Sequence, residues 1–305
     1  MSLKLTVLGC HSATPRVNAN PTSQFLEIKN HHFLIDCGEG TQVQLRRYNV
    51  KFSKIKHIFI SHLHGDHVFG LVGLISTFRL LNRESELHVY GPKGIKEMIT
   101  LQLKLSNSWT HYPLLFHELS SKEPELIFED EKVEVHTIPL DHRVYTNGFL
   151  FKEKLGERKL NMNAVFNHKE IEICDYQNLK NGRDFILKNG TTIKNKELTL
   201  DPSPVKSYAF CSDTSYFPEI IPQIKQVTAL YHEATFLNDK ENLATITKHS
   251  TAKQAATIAQ NAEVKNLVIG HFSGRYKNKE LFLTEAKSFF KNTILAEEGK
   301  TFVFE

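Results

Sequence analysis

Three imidazoles and a carboxylate lie within six residues, directly after an apolar run. Ile58, Phe59 and Ile60 lead into the sequence Ser61-His62-Leu63-His64-Gly65-Asp66-His67. His62 and His64 are two residues apart, so in an extended segment they point to the same side, and Gly65 permits a turn that brings Asp66 and His67 to the same centre. Imidazole nitrogens and carboxylate oxygens are ligands of zinc and similar divalent ions, and the absence of cysteine argues against a purely structural finger. The pattern predicts a metal site, with a polar loop at a strand end as the alternative.

Three further apolar runs end in the same kind of residue. They are Val133–Leu140 before Asp141-His142, Tyr208–Phe210 before Ser212-Asp213, and Leu267–Ile269 before Gly270-His271. Each run is rich in β-branched or aromatic residues and is typical of a strand, and strand ends that are distant in sequence can converge in space. The combined ligands exceed the needs of one tetrahedral zinc, so two metal ions are predicted. The candidate ligands are His62, His64, Asp66, His67, His142, Asp213 and His271.

The order of these residues resembles the metallo-β-lactamase fold superfamily. Further motifs, which span most of the chain, are similar to those of the ribonuclease Z family, the endonucleases that process tRNA 3′ ends. The motifs are Ser61 to His67, Cys211-Ser212-Asp213-Thr214, His232-Glu233-Ala234-Thr235, Lys248-His249-Ser250-Thr251 and His271-Phe272-Ser273-Gly274-Arg275-Tyr276.

The resemblance implies an α/β fold, the αββα four-layer sandwich, with metals at one edge between two sheets. It implies one domain over residues 1–305, interrupted by a tRNA-binding arm at about 152–196. Between Lys152 and Lys196 there are ten Lys and Arg residues against six Asp and Glu, so the basic excess of the chain lies in this segment. The family also implies a homodimer.

The resemblance also implies a mechanism: zinc-dependent hydrolysis that removes the 3′ trailer of precursor tRNA and leaves a 3′-hydroxyl on the tRNA and a 5′-phosphate on the trailer. Asp213 would bridge the two Zn²⁺ ions, and Asp66 would also orient the attacking hydroxide. His249 would protonate the leaving oxygen while Glu233 fixes its tautomer. The implied ligands are His62, His64 and His142 for one zinc, and Asp66, His67 and His271 for the other. Asp36, at another strand end, could hydrogen-bond a ligand imidazole.

Two other functions stay open at this stage. One is a hydrolase of the same fold that acts on small esters, such as a phosphodiesterase or an arylsulfatase. The other is a metal-stabilised RNA-binding protein without activity, although such a protein has no need of both Asp66 and a His249–Glu233 pair.

Composition is that of an ordinary soluble protein, with 40% hydrophobic and 24% charged residues. No apolar run approaches the length of a membrane span, and the first residues lack a long apolar core, so we expect a cytoplasmic protein without membrane segments. The four cysteines are widely spaced and are expected to be reduced and buried. His31, His32 and His57 are expected at the surface.

Overall fold

Strands and helices alternate along most of the chain, as the pattern of apolar residues predicts. The structure is a computed structural model that describes residues 2–305. In this range the strands are β1 (Leu3–Gly9), β2 (Ser23–Ile28), β3 (His31–Ile35), β4 (His57–Phe59), β5 (Leu87–Pro92), β6 (Leu114–Leu119), β7 (Leu126–Glu129), β8 (Val133–Pro139), β9 (Asn147–Glu153), β10 (Lys159–Leu160), β11 (Phe185–Ile186), β12 (Thr192–Ile193), β13 (Thr199–Leu200), β14 (Ser207–Cys211), β15 (Ala229–Glu233), β16 (Leu267–Gly270), β17 (Thr293–Leu295) and β18 (Thr301–Phe304).

The helices are mostly short, and the longest cover two sheet faces. The α-helices are α1 (Thr41–Arg47), α2 (Gly65–Val68), α3 (Leu71–Leu80), α4 (Ile95–Leu105), α5 (Met162–Phe166), α6 (Tyr176–Lys180), α7 (Asn195–Leu198), α8 (Glu241–Thr247), α9 (Ala252–Asn261) and α10 (Glu280–Lys287). No helix of residues 2–305 has the length and apolar character that crossing a membrane requires.

The chain divides into two units, of which the larger comprises residues up to 129, 133–152 and 206–305. It contains two seven-stranded sheets, ordered β18-β1-β2-β3-β4-β5-β6 and β17-β16-β15-β14-β9-β8-β7. Aromatic side chains from both sheets meet in one core, where the ring centroids of Phe33 and Phe151 are 5.2 Å apart and those of Phe59 and Phe149 are 5.4 Å apart. The two sheets therefore pack face to face.

Helices complete the layers. Leu71, Leu74 and Ile75 of α3 follow the spacing of one helix face and are buried with Ile95 and Ile99 of α4 in a second apolar cluster. Next to the other sheet, α9 and α10 bury a stripe of mostly small residues, and a capping box of Thr251 and Gln254 begins α9. The predicted αββα four-layer sandwich is confirmed.

Parallel strand pairs bring the functional strand ends to the same edges. In one sheet β14, β15, β16 and β17 are parallel neighbours, and in the other β3, β4, β5 and β6 are. Neighbouring parallel strands end at the same edge of a sheet, so the residues that follow β14, β15 and β16 lie side by side.

The smaller unit consists of residues 130–132 and 153–205. It has an apolar cluster of its own, formed by Val165, Ile171, Leu179, Ile193 and Leu198. The pairing of β10 with β13 brings the two ends of its main segment together. The segment 152–196, singled out in the sequence by its charge, lies in this unit except for Lys152.

The structure corrects two expectations that concern histidine and cysteine. His31, His32 and His57 are all half-buried rather than at the surface. The ring of His57 packs against His88 and Phe128 with centroid distances of 4.9 and 4.6 Å, and the ring of His31 stacks on Phe33 at 5.5 Å. All four cysteines are free, as expected, but Cys174 is exposed, whereas the other three are buried.

Candidate metal centre and catalytic site

The structure brings all seven predicted ligands together at the edge between the two sheets. One group contains His62, His64, His142 and Asp213, and a second contains Asp66, His67, Asp213 and His271; within each group the candidate ligand atoms lie within 4.8 Å of one another. Asp213 belongs to both groups and is buried.

Asp213 lies between the histidines with its two oxygens facing different sides. Its Oδ1 is 3.2 Å from Nε2 of His67 and 3.1 Å from Nε2 of His271, whereas its Oδ2 is 3.6 Å from Nε2 of His62 and 3.8 Å from Nε2 of His142. Although burial raises the pKa of Asp213, the neighbouring imidazoles outweigh it and hold that pKa well below its usual range. The carboxylate is therefore charged and shared between two sets of nitrogens.

Hydrogen bonds to the outer ring nitrogens fix the direction of these histidines. Nδ1 of His67 donates to Oδ2 of Asp36 at 2.6 Å, and Nδ1 of His142 donates to the backbone oxygen of Lys248 at 2.9 Å. In both residues the opposite nitrogen, Nε2, faces Asp213, and in the neutral ring it is the nitrogen that carries the lone pair. A ligand histidine whose second nitrogen donates to a carboxylate or carbonyl is the usual arrangement at metal sites.

Two hydroxyl groups extend the same arrangement. The Ser61 hydroxyl donates to Oδ2 of Asp36 at 2.9 Å and accepts from Nδ1 of His62 at 3.0 Å. The sequence pointed to Asp36 but not to Ser61, which it shows only as the residue before the first histidine.

Thr235 plays the matching part on the other sheet. Its hydroxyl donates to Oε2 of Glu233 at 2.5 Å and accepts from Nδ1 of His271 at 2.8 Å. Sequence reasoning missed this residue and the carbonyl of Lys248, because neither a threonine nor a backbone group indicates a site by its type.

The donor set fits two divalent transition metal ions. The donors are imidazole nitrogens and carboxylate oxygens without thiolates, which suits zinc and similar ions. Nε2 of His67 is buried and makes no hydrogen bond, which is costly for a polar atom unless a cation or another partner meets it. The residues present therefore fit a pair of metal ions that share Asp213.

His249 and Glu233 form a charged pair beside the second group. Nδ1 of His249 lies 2.8 Å from Oε1 of Glu233, and the carboxylate is fully buried. Burial lowers the pKa of His249, but the charge and hydrogen bond of Glu233 outweigh it and raise that pKa to about 9. The imidazole is therefore protonated at neutral pH, as a proton donor must be.

Strand ends hold three of these side chains in an uncommon backbone conformation. Asp36, Asp213 and His271 have φ angles of 55°, 60° and 61°, in the left-handed region that disfavours residues with a Cβ atom. Such residues persist only where the surrounding structure imposes them, and they occur often at functional sites.

Comparison with protein families and curated proteins finds relatives along the whole chain. The family described as "Anti-Pycsar protein Apyc1" matches residues 3–156, about half of the chain. A ribonuclease Z of Bacteroides thetaiotaomicron is 48% identical over 296 residues, which are 97% of this chain and 93% of that protein. A ribonuclease Z of Cytophaga hutchinsonii is 46% identical over 303 residues, which are 99% of this chain and 96% of that protein.

Comparison with solved structures gives the same picture of the fold. Human tRNase Z, short form (ELAC1), is similar with a TM-score of 0.72 and 26% identity, covering 98% of each chain. The metallo-beta-lactamase fold protein YhfI from Bacillus subtilis is similar with a TM-score of 0.69 and 18% identity, covering 99% of each chain.

Proposed function

This chain belongs to the ribonuclease Z family, and from that premise we propose how its strand-edge cluster cuts precursor tRNA. It also falls within the family described as anti-Pycsar protein Apyc1, whose match ends before Asp213, Glu233, His249 and His271. The observation that carries the function is the 48% identity to a ribonuclease Z over 97% of the chain. The protein is a phosphodiester hydrolase that processes tRNA 3′ ends. These ribonuclease Z relatives do not favour the alternative activity, that of a phosphodiesterase or arylsulfatase for small esters.

We propose that two zinc ions occupy the cluster. His62, His64 and His142 would hold one ion, Asp66, His67 and His271 the other, and Asp213 both. The support is the donor set, the shared position of Asp213 and the buried Nε2 of His67 that lacks a hydrogen bond. When bound, the ions would supply Lewis acidity, which lowers the pKa of a water molecule and neutralises charge on the phosphate.

Side chains of the protein orient the attacking water and the ligand histidines, and one of them protonates the leaving oxygen. Asp66 is partly exposed in the cleft, with Oδ2 3.3 Å from Nε2 of His67 and 3.5 Å from Nε2 of His271. From there its carboxylate accepts a hydrogen bond from the attacking water and directs it towards the phosphorus. Asp36 and Thr235 accept hydrogen bonds from the outer nitrogens of His67 and His271, which fixes the ring orientation and the tautomer and leaves the inner nitrogens to bind a metal ion.

His249 supplies the proton for the leaving oxygen. Attack of water on phosphorus breaks the bond to the ribose 3′-oxygen, which leaves as a strongly basic alkoxide unless it is protonated. Glu233 holds Nδ1 of His249, so Nε2 is the nitrogen that delivers the proton. The products are a tRNA with a 3′-hydroxyl and a trailer with a 5′-phosphate.

The smaller unit is the proposed arm for the tRNA body. Its segment carries the basic excess of the chain and folds around its own apolar cluster, as a module that contacts RNA outside the cleft would. We further propose a cytoplasmic homodimer, which rests on family membership.

Metal analysis combined with cleavage of a 3′-extended tRNA transcript tests this proposal. We expect about two zinc ions per chain, one cut at the 3′ side of the tRNA body, and loss of both metal and activity in Asp213→Ala, because the shared ligand is removed. Full activity with one metal ion or none would refute the two-zinc mechanism.

A further inference from the structure

Three arginines line the cleft that contains the proposed metal centre. The cleft has a volume of about 680 Å³, and Arg16, Arg143 and Arg275 are exposed on its walls. Within residues 2–305 their side chains make no salt bridge and no hydrogen bond. The carboxylates that line the cleft are Asp66 and Asp213, which both belong to the proposed ligand sets. The three charges are therefore free for an anionic substrate.

The three arginines belong to separate segments of the chain. Arg16 packs against the backbone that precedes Arg275, since a Cβ atom on Gly274 would be 3.3 Å from Cδ of Arg16. Arg275 itself lies four residues after His271 in the chain. Arg143 directly follows His142, whose Nδ1 donates to the backbone oxygen of Lys248, the residue before His249.

The loop that carries Arg143 is held in place on both sides. Oδ2 of Asp141 accepts from Nζ of Lys248 at 2.7 Å and from the Ser215 hydroxyl, and His142 donates to the backbone of Lys248. The loop is therefore tied to the segment that carries His249, which limits the ordering that substrate binding would require.

We propose that Arg143 binds the phosphodiester one nucleotide to the 5′ side of the scissile bond, so that the last nucleotide of the tRNA body lies between Arg143 and His249. The proposal rests on the proposed function. His249 protonates the 3′-oxygen that stays with the tRNA, so its side of the cleft receives the tRNA strand, and the next anion on that strand is this phosphodiester. The planar guanidinium can bind its two nonbridging oxygens at once.

The test removes the charge of Arg143, the charge of the proposed phosphodiester, or both. Precursor tRNAs are assembled with a single neutral methylphosphonate at the proposed position or one nucleotide further to the 5′ side, each on a 2′-deoxy sugar to keep the linkage intact. The matched 2′-deoxy phosphodiesters serve as reference substrates. On these references Arg143→Ala should lower kcat/KM roughly 10- to 100-fold, as expected for a charge-assisted hydrogen bond, and Arg143→Lys should lower it less.

The double change identifies the contact. On the methylphosphonate at the proposed position, wild type and Arg143→Ala should differ less than threefold, while the more distant methylphosphonate should leave the full difference. Arg275→Ala is the matched control, because it removes the same charge from another segment that lines the cleft, and its effect should persist on both modified substrates.

Two outcomes would overturn the assignment. One is a full Arg143→Ala effect on both methylphosphonates, and the other is an Arg143→Ala enzyme that matches wild type on the reference substrates. A wild-type enzyme that does not cut the reference precursors at all would instead refute the proposed function, so the two failures are distinguishable.

Discussion

Replacing His249 by alanine should separate proton donation from metal chemistry. If His249 protonates the leaving ribose 3′-oxygen, its loss matters for a substrate with a basic leaving group. It matters far less for bis(4-nitrophenyl) phosphate, because nitrophenolate leaves readily without a proton. The variant should therefore lose activity on precursor tRNA selectively.

The surroundings of Glu233 set the expected magnitude. In His249→Ala the buried carboxylate keeps three donors: the Thr214 amide at 2.9 Å, the Thr235 amide at 3.2 Å and the Thr235 hydroxyl at 2.5 Å. The charge of Glu233 therefore stays hydrogen-bonded, so the melting temperature and the zinc content of the variant should change little. The loss on tRNA should then be that of general acid catalysis, about 10²- to 10⁴-fold.

Glu233→Gln should give the same substrate dependence with a weaker effect, because it disturbs His249 without removing it. Glu233→Gln separates the two roles less well, however, because its amide nitrogen must face a group that donates a hydrogen bond to the wild-type carboxylate. One unmet buried donor costs about 1–3 kcal/mol of stability, so its melting temperature should fall.

The assay compares kcat/KM for a 3′-extended tRNA and for bis(4-nitrophenyl) phosphate, with zinc analysis of each preparation. His136→Ala is the matched control, because it removes a partly exposed histidine that pairs with Glu134 at 3.3 Å outside the cleft. Equal losses on both substrates, or loss of zinc, would show that His249 is structural or metal-binding.

Three further predictions concern the ligands, the arm and acid stability. Asp36→Asn should weaken zinc binding about 10- to 100-fold in a chelator competition, since the group that orients His67 and Ser61 loses its charge and one of its two acceptor oxygens. Replacing residues 157–202 by a short glycine linker should cripple tRNA cleavage and spare bis(4-nitrophenyl) phosphate, because remote binding energy is lost while the metal site remains. Burial lowers the pKa of His57 to about 3, below its unfolded value of 6.5, so its contribution to stability is complete above pH 6.5 and is lost as the pH falls towards 3. In urea unfolding of the metal-free protein, His57→Phe should therefore reduce the acid loss between pH 6.5 and 4 by on the order of 2 kcal/mol.

Each of these three predictions has an outcome that would contradict it. Zinc retention equal to wild type in Asp36→Asn would mean that the hydrogen bond to His67 is dispensable. Equal losses on tRNA and on the small phosphodiester in the linker variant would mean that the segment supports the fold. An unchanged pH dependence in His57→Phe would place the acid-sensitive group elsewhere, and His136→Ala again serves as the control.

The sequence predicts that the seven candidate ligands meet because they follow strands with a strong apolar pattern. The residues after β4, β8, β14 and β16 are all placed at one edge by strand direction alone. Elements that bury little are harder to predict. The edge strand β6, Leu114–Leu119, buries only its last residue fully, and α8 buries only Ala244, so neither leaves a clear apolar period.

The groups that orient the ligands could not be predicted for a different reason. Thr235, Ser61 and the carbonyl of Lys248 act through single hydrogen bonds to ring nitrogens, and which hydroxyl or carbonyl meets which ring depends on the packing of two sheets. Arg143 was missed because an exposed arginine in a loop is common. Its lack of a partner becomes visible only when its surroundings are known.

The left-handed backbone conformation of Asp36, Asp213 and His271 reduces the stability of the fold at residues that the reaction needs. Selection for stability and selection for activity therefore favour different residues at these positions. Glycine would adopt these φ angles without a Cβ penalty, and each left-handed non-glycine residue costs about 1–2 kcal/mol. Relaxed selection on the reaction would thus let glycines accumulate at these three positions, and the resulting proteins would gain backbone stability there as they lost two proposed ligands and the acceptor that orients His67. A homologue that keeps both sheets and has glycine at these three strand ends would be recognisable as a protein that has lost the activity.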